Sequence, residues 1–284
     1  MEIFYIAAFF IFGAIVGSFL NVVVLRHGTG RGLEGRSGCM SCAKKLRWYE
    51  LVPIFSWSLQ SGRCRGCGSK VSAQYPLVEF FTGLLFVYGL YILFPALNGL
   101  DQLWQINIPS IFELITGAFL LFALATLMAI NVYDLKHMII PDKWSAFFAV
   151  SALVFSSVYW FSSPLDLFTT QAGLMHLLAG PILFIPFWFL WFISKGAWIG
   201  LGDGKLAIGI GWLLGLTLGL TAIVVSFWIG AVVGVLLLLI TRLVNRSGRI
   251  TMKSEIPFGP FLILGTLLTL FFQMNVLEIT NLFI

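Results

Sequence analysis

The sequence predicts an all-α polytopic membrane protein with about eight transmembrane helices and a small cytoplasmic domain between the first two. Of its 284 residues, 59% are hydrophobic and only 10% are charged, a far more apolar balance than soluble globular proteins have. Apolar segments of about 17 to 25 residues, long enough to cross a bilayer core, recur along the chain. One long polar insertion interrupts them and contains all four cysteines.

The apolar segments are predicted to be helices, because in lipid every backbone polar group must be satisfied within its own segment. They do not alternate polar and apolar residues as the strands of a lipid-facing barrel would. The first span has no basic stretch before it and no small-residue cleavage site after it, so we expect it to be retained. The predicted spans are residues 3–25, 76–95, 111–133, 144–161, 172–194, 204–219, 221–241 and 257–282.

The basic residues predict the orientation of these helices. All 17 lysines and arginines fall in segments on one side of the predicted topology, and the alternate loops near 96–110 and 162–171 contain none. Because lysine and arginine collect on the cytoplasmic side, both termini are predicted to lie outside. This orientation accounts for the formal charge of +5, and no nucleic-acid partner is expected. The basic segments are residues 26–70, 134–143, 195–205 and 242–253.

The polar insertion, residues 26–75, contains two C-x2-C pairs, Cys39-Met-Ser-Cys42 and Cys64-Arg-Gly-Cys67. Each pair can form a tight turn that presents two thiolates, and four thiolates complete a closed tetrahedral zinc site. Thiols stay reduced on the cytoplasmic side, which favours zinc; two disulfides or four unligated thiols are the alternatives. A closed site has no open metal position, so the predicted role of the ion is structural.

Two aspartates stand where an apolar helix meets a short polar loop. Asp134 follows the third predicted span, and Asp203 lies in Gly200-Leu-Gly202-Asp203-Gly204-Lys205. An ionisable residue at the edge of a bilayer is a functional-site hypothesis, and the alternative is a helix cap or a surface charge. Asp142 fits that alternative, because an acid at the start of a helix complements the helix dipole.

If the two aspartates meet, one carboxyl group keeps a proton while the other stays anionic, because neighbouring like charges cannot both ionise easily. Such a pair supplies a general base to activate water and a general acid to protonate a leaving group, as in aspartic proteases. The glycines around Asp203 would leave room for an extended substrate backbone. Other glycines, at four-residue spacing, are predicted to mark close helix packing: Gly211, Gly215, Gly219, Gly230 and Gly234.

Taken in order along the chain, these motifs resemble those of bacterial type IV prepilin peptidases. That family comprises bifunctional leader peptidases and N-methyltransferases of pilus and type II secretion systems, and it is grouped with the Gly-x-Gly-Asp membrane aspartic proteases. The resemblance covers nearly the whole chain. The matching segments are Gly17-Ser-Phe-Leu-Asn-Val-Val-Val-Leu-Arg26, Arg63-Cys64-Arg-Gly-Cys67-Gly68, Tyr75-Pro-Leu-Val-Glu79, Asp134 through Asp142, Gly200 through Lys205, and Ile256-Pro-Phe-Gly-Pro-Phe261.

The resemblance implies that Asp134 and Asp203 are the catalytic pair, and that prepilins or pseudopilins are cut after a glycine at the cytoplasmic face of the bacterial inner membrane. It also implies methylation of the new N terminus from S-adenosylmethionine. Since no Gly-x-Gly-x-x-Gly motif follows a strand, the methyl donor is expected in a small pocket between the zinc domain and the helices. The supporting residues of the peptidase site are Asp142, Gly200, Gly202, Gly204 and Lys205, and those nominated for the methyl donor are Asn21, Arg26, Glu79 and the stretch 48–60.

The predicted domains are a first helix over 1–25, a zinc-binding and methyltransferase region over 26–75, a second helix with its outer loop over 76–110, and a six-helix peptidase domain over 111–284. Two other functions remain open. A membrane transporter would also bury carboxylates, but it predicts an inverted repeat that the sequence does not show convincingly. A non-catalytic pilin assembly factor would bind precursors, and either aspartate could then be replaced without loss of processing.

Overall fold

The computed structural model describes residues 2–30, 32–93, 111–159, 166–243 and 256–276. Within these ranges the chain is helical, with two isolated β-bridges and no β-strand, which confirms the all-α prediction. The chain divides into two compact units, Met1–Val132 and Tyr133–Ile284. The helices are α1 (Glu2–Arg26), a 3-10 helix (Trp48–Glu50), α2 (Phe55–Leu59), α3 (Gln74–Leu93), α4 (Ile111–His137), α5 (Asp142–Tyr159), α6 (Asp166–Thr169), α7 (Gln171–Ser194), α8 (Leu201–Leu243) and α9 (Gly259–Phe272).

Five helical segments of the described chain are long and apolar enough to cross a membrane, where the sequence predicted about eight spans. The predicted spans 204–219 and 221–241 both fall within one of the five. α5 is not among them, because Asp142, Lys143 and its serines reduce its hydropathy. α9 has only 14 residues, and residues 277–282 of the last predicted span lie outside the described ranges. The five segments are Ile3–Arg26, Gln74–Leu93, Ile115–His137, Gln171–Ser194 and Leu201–Thr241.

The longest of these segments is two helices joined at a sharp kink. Gly215 has φ 77° and ψ −178°, which is not helical. A β-carbon placed on Gly219 would lie 3.5 Å from the Cα atom of Gly211, whereas residues eight positions apart in a continuous α-helix are about 12 Å apart. The chain therefore doubles back at Gly215, and the predicted break between residues 219 and 221 is placed too late. His176 donates a hydrogen bond of 2.8 Å to the Trp212 carbonyl in the turn before the kink.

In the first unit, α1 and α3 approach each other closely because their contact is made at glycines. A β-carbon on Gly13 would lie 2.7 Å from the carbonyl oxygen of Thr82, and one on Gly17 would lie 2.8 Å from the Cα atom of Glu79. Small residues allow this backbone approach between membrane helices. The contact holds the first turns of α3 beside the end of α1, which is where the cysteine-containing insertion begins.

In the second unit, α8 packs on α7 before the kink and on α9 after it. A β-carbon on Gly211 would lie 2.7 Å from the backbone of Ala179, which confirms the predicted packing role of that glycine. A β-carbon on Gly265 of α9 would lie 2.6 Å from the carbonyl oxygen of Ala222. These glycine contacts hold α8 against α7 and α9, the helices of the unit that carries Asp203 and Gly259.

We predict that Gly215→Ala lowers the thermal stability of the protein. The φ and ψ of Gly215 lie in a region that is essentially restricted to glycine, so a side chain there costs about 1–3 kcal/mol. The measurement is the midpoint of thermal unfolding of the purified protein in detergent. Gly234→Ala is the control, because a β-carbon at this helical glycine meets no atom within 4 Å, so the close packing predicted for Gly234 is wrong. Equal midpoints for the two variants would contradict the prediction.

Candidate active site and metal centre

The two cysteine pairs fold into turns with the same hydrogen-bond pattern. In the first turn, the Cys39 amide donates to Lys44 and the Ala43 amide donates to Cys39, both at 2.9 Å. In the second, the Cys64 amide donates to Ser69 and the Gly68 amide donates to Cys64, again at 2.9 Å. An antiparallel bridge closes each turn, Gly38 with Lys45 and Arg63 with Lys70. The sequence therefore presents its four thiols from two equivalent knuckles.

The four sulfur atoms lie within 4.8 Å of one another, and all four cysteines are free. The Cys39 and Cys67 sulfur atoms are 3.8 Å apart, too far for a disulfide, whose sulfur atoms are about 2.05 Å apart. A tetrahedral ion with metal–sulfur distances of about 2.3 Å separates its sulfur ligands by about 3.8 Å. The cluster therefore fits a metal ion, as the sequence predicted, and the residues that could hold it are Cys39, Cys42, Cys64 and Cys67.

The surroundings of the thiols shift their pKa values in different directions. The backbone amide of Cys42 and the hydroxyl of Ser69 lower the pKa of the Cys39 thiol to about 5. The backbone amide of Lys44 lowers the pKa of the Cys42 thiol, but the other sulfur atoms and burial together raise it to about 11. Sulfur atoms this close disfavour joint ionisation, and a divalent cation is what offsets the repulsion among four thiolates.

Asp134 lies in the last turn of α4, and its side chain is buried, with 4% of the residue exposed. The helix ends three residues later, because Met138 adopts φ 53° and its amide donates to the Asp134 carbonyl at 2.8 Å. Gly259, at the start of α9, lies directly against the Asp134 carboxylate, since a β-carbon there would be 2.5 Å from Oδ2. The acid is thus held between the end of one helix and the start of another.

Asp203 lies in the first turn of α8 and is also buried, with 8% of the residue exposed. Its carboxylate lies beside Gly200, where a β-carbon would be 3.4 Å from Oδ2, and it is close enough to Asp134 for the two charges to interact. The structure therefore brings together the two aspartates that the sequence nominated. The separation of α4 and α8 along the sequence does not by itself predict that these two side chains lie close together.

Ile140 packs against the two glycines that lie beside the acids. A β-carbon on Gly202 would lie 3.0 Å from the Ile140 Cβ, and one on Gly259 would lie 3.1 Å from its Cδ1 and 2.5 Å from Oδ2 of Asp134. The sequence analysis assigned no role to Gly259, although this residue lies inside the Ile256–Phe261 motif. The motif shows a glycine between a phenylalanine and a proline, but it does not show that this glycine lies against Asp134.

Among the supporting residues predicted for the peptidase site, the glycines make packing contacts and the two charged residues form an ion pair. A β-carbon on Gly204 would lie 3.1 Å from both Phe184 and Phe187 of α7. The space beside Gly204, and that beside Gly202, is therefore filled by the chain itself, where the sequence analysis expected room for a substrate. Lys205 and Asp142 form an ion pair of 2.6 Å that joins the first turns of α8 and α5.

The residues nominated for a methyl donor lie in the first unit and differ in their contacts. Asn21 donates to the carbonyl groups of Gly17 and Tyr75. Arg26 donates to two backbone carbonyls of the insertion at 2.9 Å. Glu79 instead lines a cavity of about 360 Å³ between the insertion and the helices α1 and α3. Part of the 48–60 stretch also lines this cavity, whereas Asn21 and Arg26 do not.

Two family models match the chain. One, described as the bacterial peptidase A24 N-terminal domain, matches residues 11–93. The other, described as the type IV leader peptidase family, matches residues 119–235. The first contains the cysteine cluster and the cavity, and the second contains both aspartates.

Curated relatives align with most of the chain. A Myxococcus xanthus protein named prepilin leader peptidase/N-methyltransferase is 34% identical over 87% of this chain and 66% of its own length. A Bacillus subtilis protein of the same name is 31% identical over 91% of each chain. An Escherichia coli protein named type 4 prepilin-like proteins leader peptide-processing enzyme is 29% identical over 92% of this chain and 91% of its own length. No solved structure matches the chain at a significant level.

We predict that Gly68→Ala weakens metal binding while Ala43→Gly does not. The two residues occupy equivalent positions with φ 70° and 55°, and a β-carbon at Gly68 meets no atom within 4 Å. Only backbone strain therefore separates the variants, and it costs about 1–2 kcal/mol for a non-glycine residue. The measurement is competition for Zn²⁺ against a chromogenic chelator. Equal weakening by both substitutions would contradict the proposed strain.

Proposed function

The chain belongs to the type IV leader peptidase family, and we propose that it is a membrane aspartic endopeptidase that removes the leader of type IV prepilins or pseudopilins. In this proposal Asp134 and Asp203 are the catalytic residues. The observation that carries it is that these two buried acids, one in the last turn of α4 and the other in the first turn of α8, lie close enough for their charges to interact.

The pair can perform amide hydrolysis without a metal ligand. One carboxylate takes a proton from a water molecule, whose oxygen attacks the carbonyl carbon of the scissile peptide. The other carboxyl group gives its proton to the carbonyl oxygen, which forms a tetrahedral intermediate. The carbon–nitrogen bond then breaks, its electron pair stays on nitrogen, and the amine leaves with a proton from the pair. The products are a carboxylic acid and a new N-terminal amine.

Substrate and orientation follow from the position of the pair. Both acids adjoin loops that carry lysine or arginine, which the positive-inside rule assigns to the cytoplasm. A prepilin keeps a short basic leader in the cytoplasm while its apolar helix enters the membrane. The proposed cut, after a glycine at that boundary, places the scissile bond at the same level as Asp134 and Asp203. The enzyme would thus act at the cytoplasmic face of the bacterial inner membrane.

The cysteine cluster is proposed to hold structural Zn²⁺. The sulfur distances and the four-thiol donor set suit that ion, and a closed site leaves no position for substrate. Elemental analysis of the purified protein identifies the ion. The zinc would stabilise the knuckles, and with them one wall of the cavity to which Cys39 and Cys64 contribute.

N-methylation of the new amine is the second proposed activity. S-adenosylmethionine, when bound, supplies a methyl group on a positively charged sulfur. Its methyl group would pass to the unprotonated amine of the cleaved substrate, and the residues that would hold the donor are Glu79 and the cavity-lining part of the 48–60 stretch. Asn21 and Arg26 are proposed as supports here, since one joins α1 to α3 and the other orders the turn after α1.

We predict that Asp134→Asn and Asp203→Asn each lower the cleavage rate by at least about 10²–10⁴-fold, the range expected when a general acid or base is lost. The measurement is mass spectrometry of a prepilin incubated with protein reconstituted in lipid. Asp101→Asn, in the loop predicted to lie outside, is the matched control and should cleave normally. If either catalytic variant keeps the wild-type rate, the paired-carboxylate mechanism is wrong, and a well-folded wild type that never cleaves would favour the transporter or assembly alternative.

We also predict that Gly259→Ala reduces cleavage about 10²-fold, because a displacement of about 1 Å in a catalytic group costs this much. The added carbon would lie 2.5 Å from Oδ2 of Asp134 and would push that carboxylate away. Gly230→Ala is the control, since its added carbon makes an ordinary 3.4 Å contact with Phe261. Thermal unfolding of both variants checks that the protein is folded. Wild-type cleavage by a folded Gly259→Ala protein would contradict the role of Gly259.

A further inference from the structure

The cavity of the first unit is built from the cysteine-containing insertion on one side and α1 and α3 on the other. Its volume of about 360 Å³ falls within the range of small-molecule pockets, about 300–1,000 Å³. The lining includes two aromatic side chains, two acids and two bases. These are Trp57, Tyr75, Glu50, Glu79, Arg63 and Lys70.

A strained backbone turn connects one acid of this cavity to its tryptophan. Ile54 has φ 63° and ψ −54°, and the Phe55 amide donates across it to the Pro53 carbonyl at 2.6 Å. This is a γ-turn with positive φ, a rare and costly conformation. The buried Glu79 carboxylate accepts the Ile54 amide at 2.7 Å. α3 thereby fixes the turn from which α2, carrying Trp57, begins.

Trp57 is held in place from two further directions. Its indole nitrogen donates to the Val71 carbonyl at 3.1 Å. Gly62, with φ 63°, lies directly against the ring, and a β-carbon there would lie 2.8 Å from it. An aromatic ring that is fixed before a ligand arrives loses little conformational entropy on binding.

The two acids that line the cavity differ in whether they form an ion pair. Glu50 already pairs with Lys44 at 3.4 Å. Glu79, in contrast, forms no ion pair with any lysine or arginine of the described ranges. A buried carboxyl group without a basic partner is costly, and a cationic ligand would offset that cost. Arg63 and Lys70 are exposed and provide positive charge for a ligand carboxylate.

We propose that this cavity is the binding site for S-adenosylmethionine, with Glu79 as the countercharge of the sulfonium and Trp57 as the surface for the adenine. The amino acid part of the ligand carries a carboxylate, for which Arg63 and Lys70 supply the charge. The inference rests on the proposed N-methylation but not on the proposed peptidase chemistry, since the cavity and the two aspartates belong to different units.

The first experiment measures equilibrium binding of radiolabelled S-adenosylmethionine to the full-length protein in nanodiscs. Trp57→Ala should raise the Kd about tenfold or more, as expected when an aromatic face for a base is removed. Trp198→Ala is the control, because that tryptophan is 71% exposed, does not line the cavity and lies outside the nominated residues. An unchanged Kd for Trp57→Ala, or an equal loss for Trp198→Ala, overturns the proposal.

The second experiment separates the charge of Glu79 from its structural role. Glu79→Gln keeps an oxygen for the Ile54 amide but removes the countercharge, so it should weaken binding of the sulfonium more than binding of neutral S-adenosylhomocysteine. The affinity ratio of the two ligands is the readout, and a merely structural role would change both affinities equally. Glu34→Gln, at an exposed acid of the insertion, is the control. A ratio unchanged by Glu79→Gln overturns the assignment.

A third measurement needs no variant, so a misfolded protein cannot obscure it. Ultraviolet cross-linking of labelled S-adenosylmethionine to the wild type, followed by peptide mapping, should place the label within residues 37–79. Label confined to other segments overturns the proposal. Prepilin cleavage by the same preparation is scored separately: cleavage without ligand binding rejects this site alone, whereas ligand binding in the cavity without cleavage rejects the peptidase proposal alone.

Discussion

The structure depends on how its membrane-embedded and insertion carboxyl groups are satisfied. Four acids of the described ranges are buried: Glu50 and Glu79 accept hydrogen bonds from backbone amides, and Asp134 and Asp203 lie against Gly259 and Gly200. Such bonds to a charged acceptor are stronger than neutral ones and offset part of the cost of burial. Each bond also fixes a turn or a helix start relative to the acid. The two hydrogen-bonded pairs are Glu50 with Arg47 and Glu79 with Ile54.

The four acids divide between the two units and serve different purposes there. In the second unit the two aspartates lie close to each other, and Ile140 packs against Gly202 and Gly259 beside them. In the first unit the two glutamates shape an insertion that has little regular structure of its own. Its 3-10 helix begins where Arg47 meets Glu50, and its strained turn exists because Glu79 accepts the Ile54 amide. Each unit therefore completes its own site from its own residues.

Much of this organisation could be predicted from the sequence because it depends on local signals. Cysteine spacing predicted the metal cluster, and the interruption of apolar segments by Asp134 and Asp203 marked the two acids. The features that the sequence did not predict depend on contacts between helices that are distant in the sequence. Gly215 and Gly219 belong to the same four-residue repeat of glycines, yet Gly215 forms the kink and Gly219 makes close packing contacts. Nothing in the neighbouring sequence distinguishes the two. The approach of Gly259 to Asp134 likewise required the packing of α9. Asn21 and Arg26 stood in a recognisable motif, but their hydrogen bonds go to backbone carbonyls.

The two cysteine knuckles share one hydrogen-bond pattern but differ at the residue after each second cysteine. Ala43 adopts φ 55° where Gly68 adopts φ 70°, and alanine in this conformation stores about 1–2 kcal/mol that glycine does not. Opening the first knuckle releases that energy, whereas opening the second releases none. If the cluster holds an ion as proposed, this strain favours release of Cys39 and Cys42 before Cys64 and Cys67, and a thiol-reactive compound would meet the first pair earlier than the second.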